Sequence, residues 1–393
     1  MIFNTLGYFF LFLLPAALLF RIAGERSKPW ICIGFGAAFF IYFSIRDVGG
    51  YAGAACLIVF LWESLFSRLY RRGSRWCIAG VIQALLILLV FKYWNFIVGL
   101  FSSQEDESSW FWKGAFLPLG ISFFTFEFIH YAVDRYRGET EAGSFAEYLA
   151  FILFFPTLVA GPIKRYQLFL PNLRKPSVDW GTDWNRGLTR ILCGLAKKFV
   201  IADLLTSLTD HLNAGDIAAA ERWILPVWLL AYGFKIYFDF SAYSDIAIGS
   251  ARLFGIKVPE NFDWPYLRTN IAEFWKLWHI SLYRWLVDYV FIPMGGSRVR
   301  IPAVYRNVML AMLISGLWHG AGLNFVVWGL WHGVLLCVHR AWSRRRGNGE
   351  ASSSKLRRFG AWLLTFTCVN LGWAFFCMDL PTAGLFFKRL LLG

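Results

Sequence analysis

Two histidines stand in a stretch that has little else able to do chemistry. SGLWHGAGLNFVVWGLWHG, Ser315 to Gly333, sets His319 and His332 each in a Trp-His-Gly triplet, inside a run without charged residues from Val308 to Val338. An imidazole gains and loses a proton near neutral pH. Apolar surroundings favour its neutral form, which is the form a general base needs. Around His319, Gly316, Gly320 and Gly322 permit close approach by backbone or substrate, and Trp318 supplies an apolar wall. The same residues also fit a histidine that caps a helix or is hydrogen-bonded within a core.

Two further constellations place polar groups among apolar ones. In EFWKLWHISLYRWLVDYVFIPMGG (Glu273–Gly296), His279 follows Trp275 and Trp278. At helical spacing Trp275, Trp278, Leu282 and Trp285 form one stripe, with Glu273, Lys276, Tyr283, Arg284 and Asp288 beside it. An interfacial aromatic belt with snorkelling cations has the same composition. In YFDFSAYSD (Tyr237–Asp245), the residues Asp239, Ser241, Tyr243, Ser244 and Asp245 make a dense polar knot. Lys235 and Asp239, four apart, can pair on one helix face. Such a knot either lines a substrate tunnel or satisfies itself inside a bundle. No P-loop, HExxH or GxSxG occurs, and the seven cysteines are scattered singly without metal-ligand spacing. No metal is expected, and the thiols read as buried and structural.

The elements that must position these groups are membrane helices. Of 393 residues, 58% are hydrophobic, 19% aromatic and only 16% charged, with a mean hydropathy of +0.50. Soluble domains carry about 25% charged residues. The net charge of +14 would suggest a nucleic-acid partner in a soluble protein. In a membrane protein the positive-inside rule accounts for it, so the bilayer is expected and nucleic acid is not. Spans are expected at Met1–Phe20, Pro29–Ile45, Gly49–Phe66, Cys77–Leu100 and Phe116–Val133, then at Ile301–Gly320, Leu323–Trp342 and Phe359–Met378. Met1–Phe20 lacks a basic start and a cleavage site and reads as a retained helix. Tyr148–Tyr166, broken by Pro156 and Pro162, reads as a re-entrant or buried segment. Between Arg174 and Arg300 the helical stretches carry internal charges, which suits helices in the interface or facing a watery interior. The basic loops Arg21–Lys28, Ser67–Arg75 and Arg340–Arg358 read as cytoplasmic and the acidic Ser102–Ser109 as external, which puts the N-terminus outside. The expectation is one all-α membrane domain over 1–393, with roughly ten to twelve crossing or partly inserted helices.

Five stretches in order, GISFFTFEFIHYAVDRYRG, FFPTLVAGPIKRY, IYFDFSAYSDIAIG, PENFDWPYLRTNIAEFWKLWHISLYRWLVDYVFIPMGG and GLWHGAGLNFVVWGLWHG, resemble the membrane-bound O-acyltransferase family. Within it they are most similar to the alginate O-acetylation branch. The resemblance covers Leu117 to the C-terminus, residues 117–393, while 1–100 agree only in hydrophobic character and read as peripheral spans. It implies a multi-helix fold with interfacial or re-entrant helices and a central tunnel. It places the family's near-invariant catalytic histidine on His319 and its second signature residue on His279, and His332 matches another histidine common in the branch. His332, Asp239, Tyr243, Asp245, Trp275, Trp278 and Trp318 are the expected tunnel or substrate-binding residues.

The resemblance further implies acetyl transfer from a cytosolic thioester (acetyl-CoA or an acyl-carrier protein, a co-substrate and not a tightly bound cofactor) to hydroxyls of an extracytoplasmic polysaccharide. A separate extracytoplasmic acetyltransferase partner would finish the reaction. It implies a multi-pass protein of a bacterial inner membrane. An apolar shell around the histidines would exclude water and limit wasteful thioester hydrolysis. Three alternatives remain at this stage: D-alanyl transfer to teichoic acid within the family, a transporter, whose helices are also broken and charged, and a scaffold in a polysaccharide-secretion complex.

Overall fold

The structure, a computed structural model, describes residues 3–101, 112, 116–346 and 354–392. The protein is all-α: 79% of it is helical, and the described residues contain no strand, only one isolated backbone bridge between Phe262 and Trp278. Among the described residues, five helical stretches are long and apolar enough to cross a membrane: Lys28–Asp47, Gly53–Arg72, Ser74–Phe101, Ile301–His319 and Lys355–Cys377. The acidic stretch Ser102–Ser109 lies outside the described residues. Contacts divide the chain into two compact units, Met1–Leu195 with Tyr243–Pro259, and Ala196–Ala242 with Glu260–Gly393.

The first unit holds α1 (Leu14–Ile22), α2 (Lys28–Val48), α3 (Gly50–Phe66), α4 (Ser74–Leu88), α5 (Trp94–Phe101), α6 (Ile121–Arg137), α7 (Phe145–Ile152), α8 (Tyr166–Arg174) and α9 (Trp180–Ala196). Its core is phenylalanine-rich, with Phe12, Phe39, Phe43 and Phe155 in edge or tilted ring contact. Two sequence expectations change here. The first apolar helix is only Tyr8–Ile22, a π turn running into α1, too short for a comfortable crossing. The expected span Phe116–Val133 is instead the mostly buried α6, which carries Glu127, His130 and Asp134 inside the protein. The broken segment is as expected. α7 starts with a capping box between Ser144 and Glu147, and the chain then runs through a single 3₁₀ turn at Phe155–Thr157 before α8.

Buried polar groups secure that irregular backbone. Lys164 Nζ reaches both oxygens of Glu127, at 2.6 and 2.8 Å, with both side chains almost fully buried. His130 Nε2 accepts the Tyr166 backbone N–H at 3.1 Å. Non-helical backbone at membrane depth survives only when protein shelters it in this way. Arg21, at the end of α1, donates to the carbonyls of Arg252, Leu253 and Ser177 and pairs with Asp183 at 2.8 Å.

The second unit begins with the short α10 (Thr206–Thr209) and α11 (Ala214–Ala219). α12 (Leu225–Leu253) follows, and the unit boundary falls inside it at Ala242. At 1.5 Å per residue α12 is about 43 Å long. Then come α13 (Ile271–Leu277), α14 (Ile280–Leu286), α15 (Ile301–His319), α16 (Leu323–Arg346), α17 (Lys355–Cys377) and α18 (Leu380–Leu392).

Candidate active site

His319 is the last residue of α15, and the chain leaves the helix at Gly320 in an extended conformation. The pentapeptide Gly-Leu-Trp-His-Gly occurs twice, as 316–320 ending α15 and as 329–333 inside α16. Its glycines join the two helices. A Cβ on Gly329 would sit 2.6 Å from the Met312 carbonyl oxygen, and one on Gly316 would strike the Phe325 carbonyl. Small residues four apart let membrane helices approach backbone to backbone. Gly316 and Gly329 therefore serve helix packing.

The half-buried His319 ring lies among aromatics, with ring centres 4.8 Å from Trp318, 5.2 Å from Trp328 and 5.0 Å from Phe376. His279 also meets Trp318, with ring centres 5.8 Å apart. The two imidazoles thus share one indole neighbour. His332, fully buried in α16, is 5.0 Å from Trp328 and accepts a hydrogen bond at Nδ1 from Trp275 Nε1 at 3.4 Å. That bond leaves the proton of a neutral ring on Nε2. Trp278 packs on Trp373 at 5.0 Å.

His279 has the least ordinary backbone here. Its φ of 47° and ψ of 55° are left-handed, and only Trp264, at φ 46°, shares a positive φ among the described non-glycine residues. Such conformations persist where the surroundings over-determine them. The surroundings are a small clip. The Ile280 N–H donates to the Asn261 carbonyl at 2.9 Å, and the Asp263 N–H to the Leu277 carbonyl at 3.2 Å. The Asn261 side-chain oxygen accepts from the Ser281 hydroxyl at 2.6 Å. The clip breaks the helix at His279, so Trp275, Trp278, Leu282 and Trp285 do not form the expected single stripe. Trp285 instead meets Tyr289 at 5.2 Å. His279 is 1% exposed, and neither ring nitrogen has a hydrogen-bond partner. Burial drives its pKa down to about 3, so the ring is neutral. Phe240, 4.6 Å away, closes another side.

The polar knot of α12 divides. Asp239 pairs with Lys198 at 2.8 Å, and Lys198 also holds Asp203 at 2.7 Å. The expected partner Lys235 bonds Thr209 instead, at 2.9 Å. Tyr243 and Asp245 belong to the first unit, where Tyr243 meets Phe3 at 5.5 Å and Asp245 pairs with Arg190 at 2.6 Å. The structure therefore brings together His279, His319, His332, Trp275, Trp278 and Trp318, and gives Asp239, Tyr243 and Asp245 ion-pair or ring partners of their own. Sequence reasoning missed Trp328, Phe376, Phe240 and Asn261. Trp328 was visible in principle, four residues before His332 on the same helix face. Asn261 had no periodic signal, because it acts through a loop.

The family model for the membrane-bound O-acyltransferases matches residues 102–348. A probable alginate O-acetylase of Pseudomonas aeruginosa is 36% identical over 387 residues, covering 96% of this chain and 72% of that protein. A peptidoglycan O-acetyltransferase of Helicobacter pylori is 36% identical over 336 residues, 77% of this chain and 61% of that one. A teichoic acid D-alanyltransferase of Bacillus subtilis is 29% identical over 357 residues, 83% and 88%.

Proposed function

The chain belongs to the membrane-bound O-acyltransferase family and is a multi-pass membrane O-acyltransferase; from that premise we propose that it moves acetyl groups from a cytosolic thioester to hydroxyls of an extracytoplasmic polysaccharide, in a bacterial inner membrane. The observation that carries the site assignment is the contact of both His279 and His319 with Trp318, with His279 held in a left-handed conformation and its ring nitrogens unpaired. Orphaned buried polar atoms call for a partner, and an acyl donor or acceptor supplies one.

In this reading neutral His319 takes the proton of the acceptor hydroxyl as its oxygen attacks the thioester carbonyl. The carbon–sulfur bond breaks, and the thiolate leaves with the proton that His319 returns. His279 donates a hydrogen bond to the carbonyl oxygen as charge develops there. His332 holds Trp275 and packs on Trp328, the indole that also backs His319, so it positions the site. Trp275, Trp278 and Trp318 form the apolar shell that keeps water from the thioester. A tunnel past His319 would admit donor and acceptor from opposite sides, with Asp239, next to the Phe240 that touches His279, on its wall. An extracytoplasmic acetyltransferase partner would act with it, presenting the polymer at the outer end of that tunnel.

The test feeds cells labelled acetate or labelled D-alanine while they express either the wild type or His319→Ala at matched membrane abundance. We expect acetate label in exported polysaccharide from the wild type alone. D-alanine label in its place would select alanylation, the activity in the name of the Bacillus relative. Equal acetate label from both proteins would sink the role of His319.

A further inference from the structure

A second imidazole site lies in the same unit, outside the proposed catalytic cluster. In the segment between α10 and α12, His211 Nδ1 donates to Asp216 Oδ2 at 2.8 Å. The Asn213 amide also donates to that oxygen, at 3.0 Å, and Asn213 Oδ1 accepts the Asp216 N–H at 3.0 Å. The carboxylate is therefore fixed, and it fixes the ring. The imidazole is stacked on the buried Trp228, with centres 5.0 Å apart and planes at 19°. With Nδ1 tied to a carboxylate, Nε2 is left as an acceptor on a side chain half exposed to solvent. Twelve residues on, Trp223 is 67% exposed, and its indole N–H is bonded to Glu221, which holds the ring in place.

This cluster sits at the same end of its unit as His319. Phe376, near the end of α17, touches His319, and its neighbour Phe375 packs on Phe387 of α18 at 5.2 Å. Arg389 of α18 then donates to the Ala220 carbonyl, just after α11, at 2.8 Å. The opposite end of α17 is Lys355, which lies within the basic stretch Arg340–Arg358 read as cytoplasmic.

We propose that the His211–Asp216 pair, with Trp223 and Glu221, is a subsite for an uncharged sugar on the extracytoplasmic side, engaging the acceptor glycan before its hydroxyl reaches His319. The proposal rests on the acetyl-to-polysaccharide reading and narrows its acceptor. A sugar ring offers an apolar C–H face, which stacks on a fixed, exposed indole. Its hydroxyls donate well to carboxylates and to an imidazole lone pair. The charges of the subsite itself are the carboxylates of Asp216 and Glu221, while Arg222 and Arg389 are turned to the carbonyls of Leu391 and Ala220 and Lys235 to the Thr209 hydroxyl. That balance disfavours a polyuronate and favours a neutral hexose or acetamidohexose chain.

The full chain in nanodiscs is titrated with chitotetraose and with mannuronate tetramer, using wild type, Asp216→Asn, His211→Ala and Trp223→Ala, all matched for melting temperature. The expected result is saturable binding of chitotetraose, weakened at least tenfold by each substitution, with weaker binding of the uronate. Chitotetraose binding that ignores the substitutions, tighter binding of the uronate, or no glycan binding by the wild type each overturns the subsite. Adding a periplasmic protein fraction is a further arm: loss of its binding by the same variants, with glycan binding intact, would assign the cluster to a protein partner and overturn it too. Acetyl transfer by cells carrying His211→Ala is followed in parallel. Normal transfer there, with transfer lost in His319→Ala, removes the subsite and leaves the acyltransferase reading standing. Absence of acetyl transfer in the wild type removes that reading instead.

Discussion

At the scale of single residues, His319 and His279 make different demands. A positioned base contributes roughly 10²–10⁴-fold to a rate. His319→Ala should lower polymer acetylation by that factor while the protein still inserts at normal abundance, which immunoblotting of membranes alongside acetyl analysis checks. His279 adds a backbone component. A left-handed non-glycine residue costs about 1–2 kcal/mol. His279→Gly should therefore melt at a higher temperature in detergent than His279→Ala, and both should transfer acetyl poorly. Wild-type transfer by His279→Gly would show that the clip needs the turn and not the imidazole. The sequence pointed to both histidines through their Trp-His context. It could not show the left-handed turn, because that conformation is imposed by Asn261 and Asp263 from a separate loop.

Among the elements, the α15–α16 pair is the one most exposed to small changes. Gly316 and Gly329 each face a backbone carbonyl of the other helix, so a side chain there must push main chain aside. Overpacking costs typically 1–3 kcal/mol. Gly329→Val should lower the melting temperature and displace Trp328, with acetyl transfer falling further than the melting shift alone accounts for. Gly360, whose added Cβ would meet nothing within 4 Å, is the matched control: Gly360→Val should leave both measurements nearly unchanged. The helices themselves were largely legible, since long apolar runs leave few alternatives. What escaped was partner choice. Lys235 and Asp239 have the spacing of a pair, yet Lys198 from another helix takes the aspartate, because tertiary placement outweighs a weak local preference.

The whole molecule is constrained by its charges. In a cysteine-free background, Ser354→Cys should be silent to a membrane-impermeant thiol reagent applied from outside, and Ala218→Cys should react; the reverse pattern would invert the orientation and the side assigned to His211. The all-α membrane class followed from composition, whereas the division into two units did not, since it falls within α12 with no break in sequence pattern. One pair carries a consequence for how the chain is made. Lys164 and Glu127 are 37 residues apart and neutralise each other out of reach of water. Either one alone is costly in lipid. α6 emerges from the ribosome first, so it cannot settle into the bilayer until the lysine has followed it. Insertion of this part of the chain is therefore a delayed, two-handed event, and charge loss at either residue should leave newly made protein lingering at the insertion machinery and open to quality-control proteases.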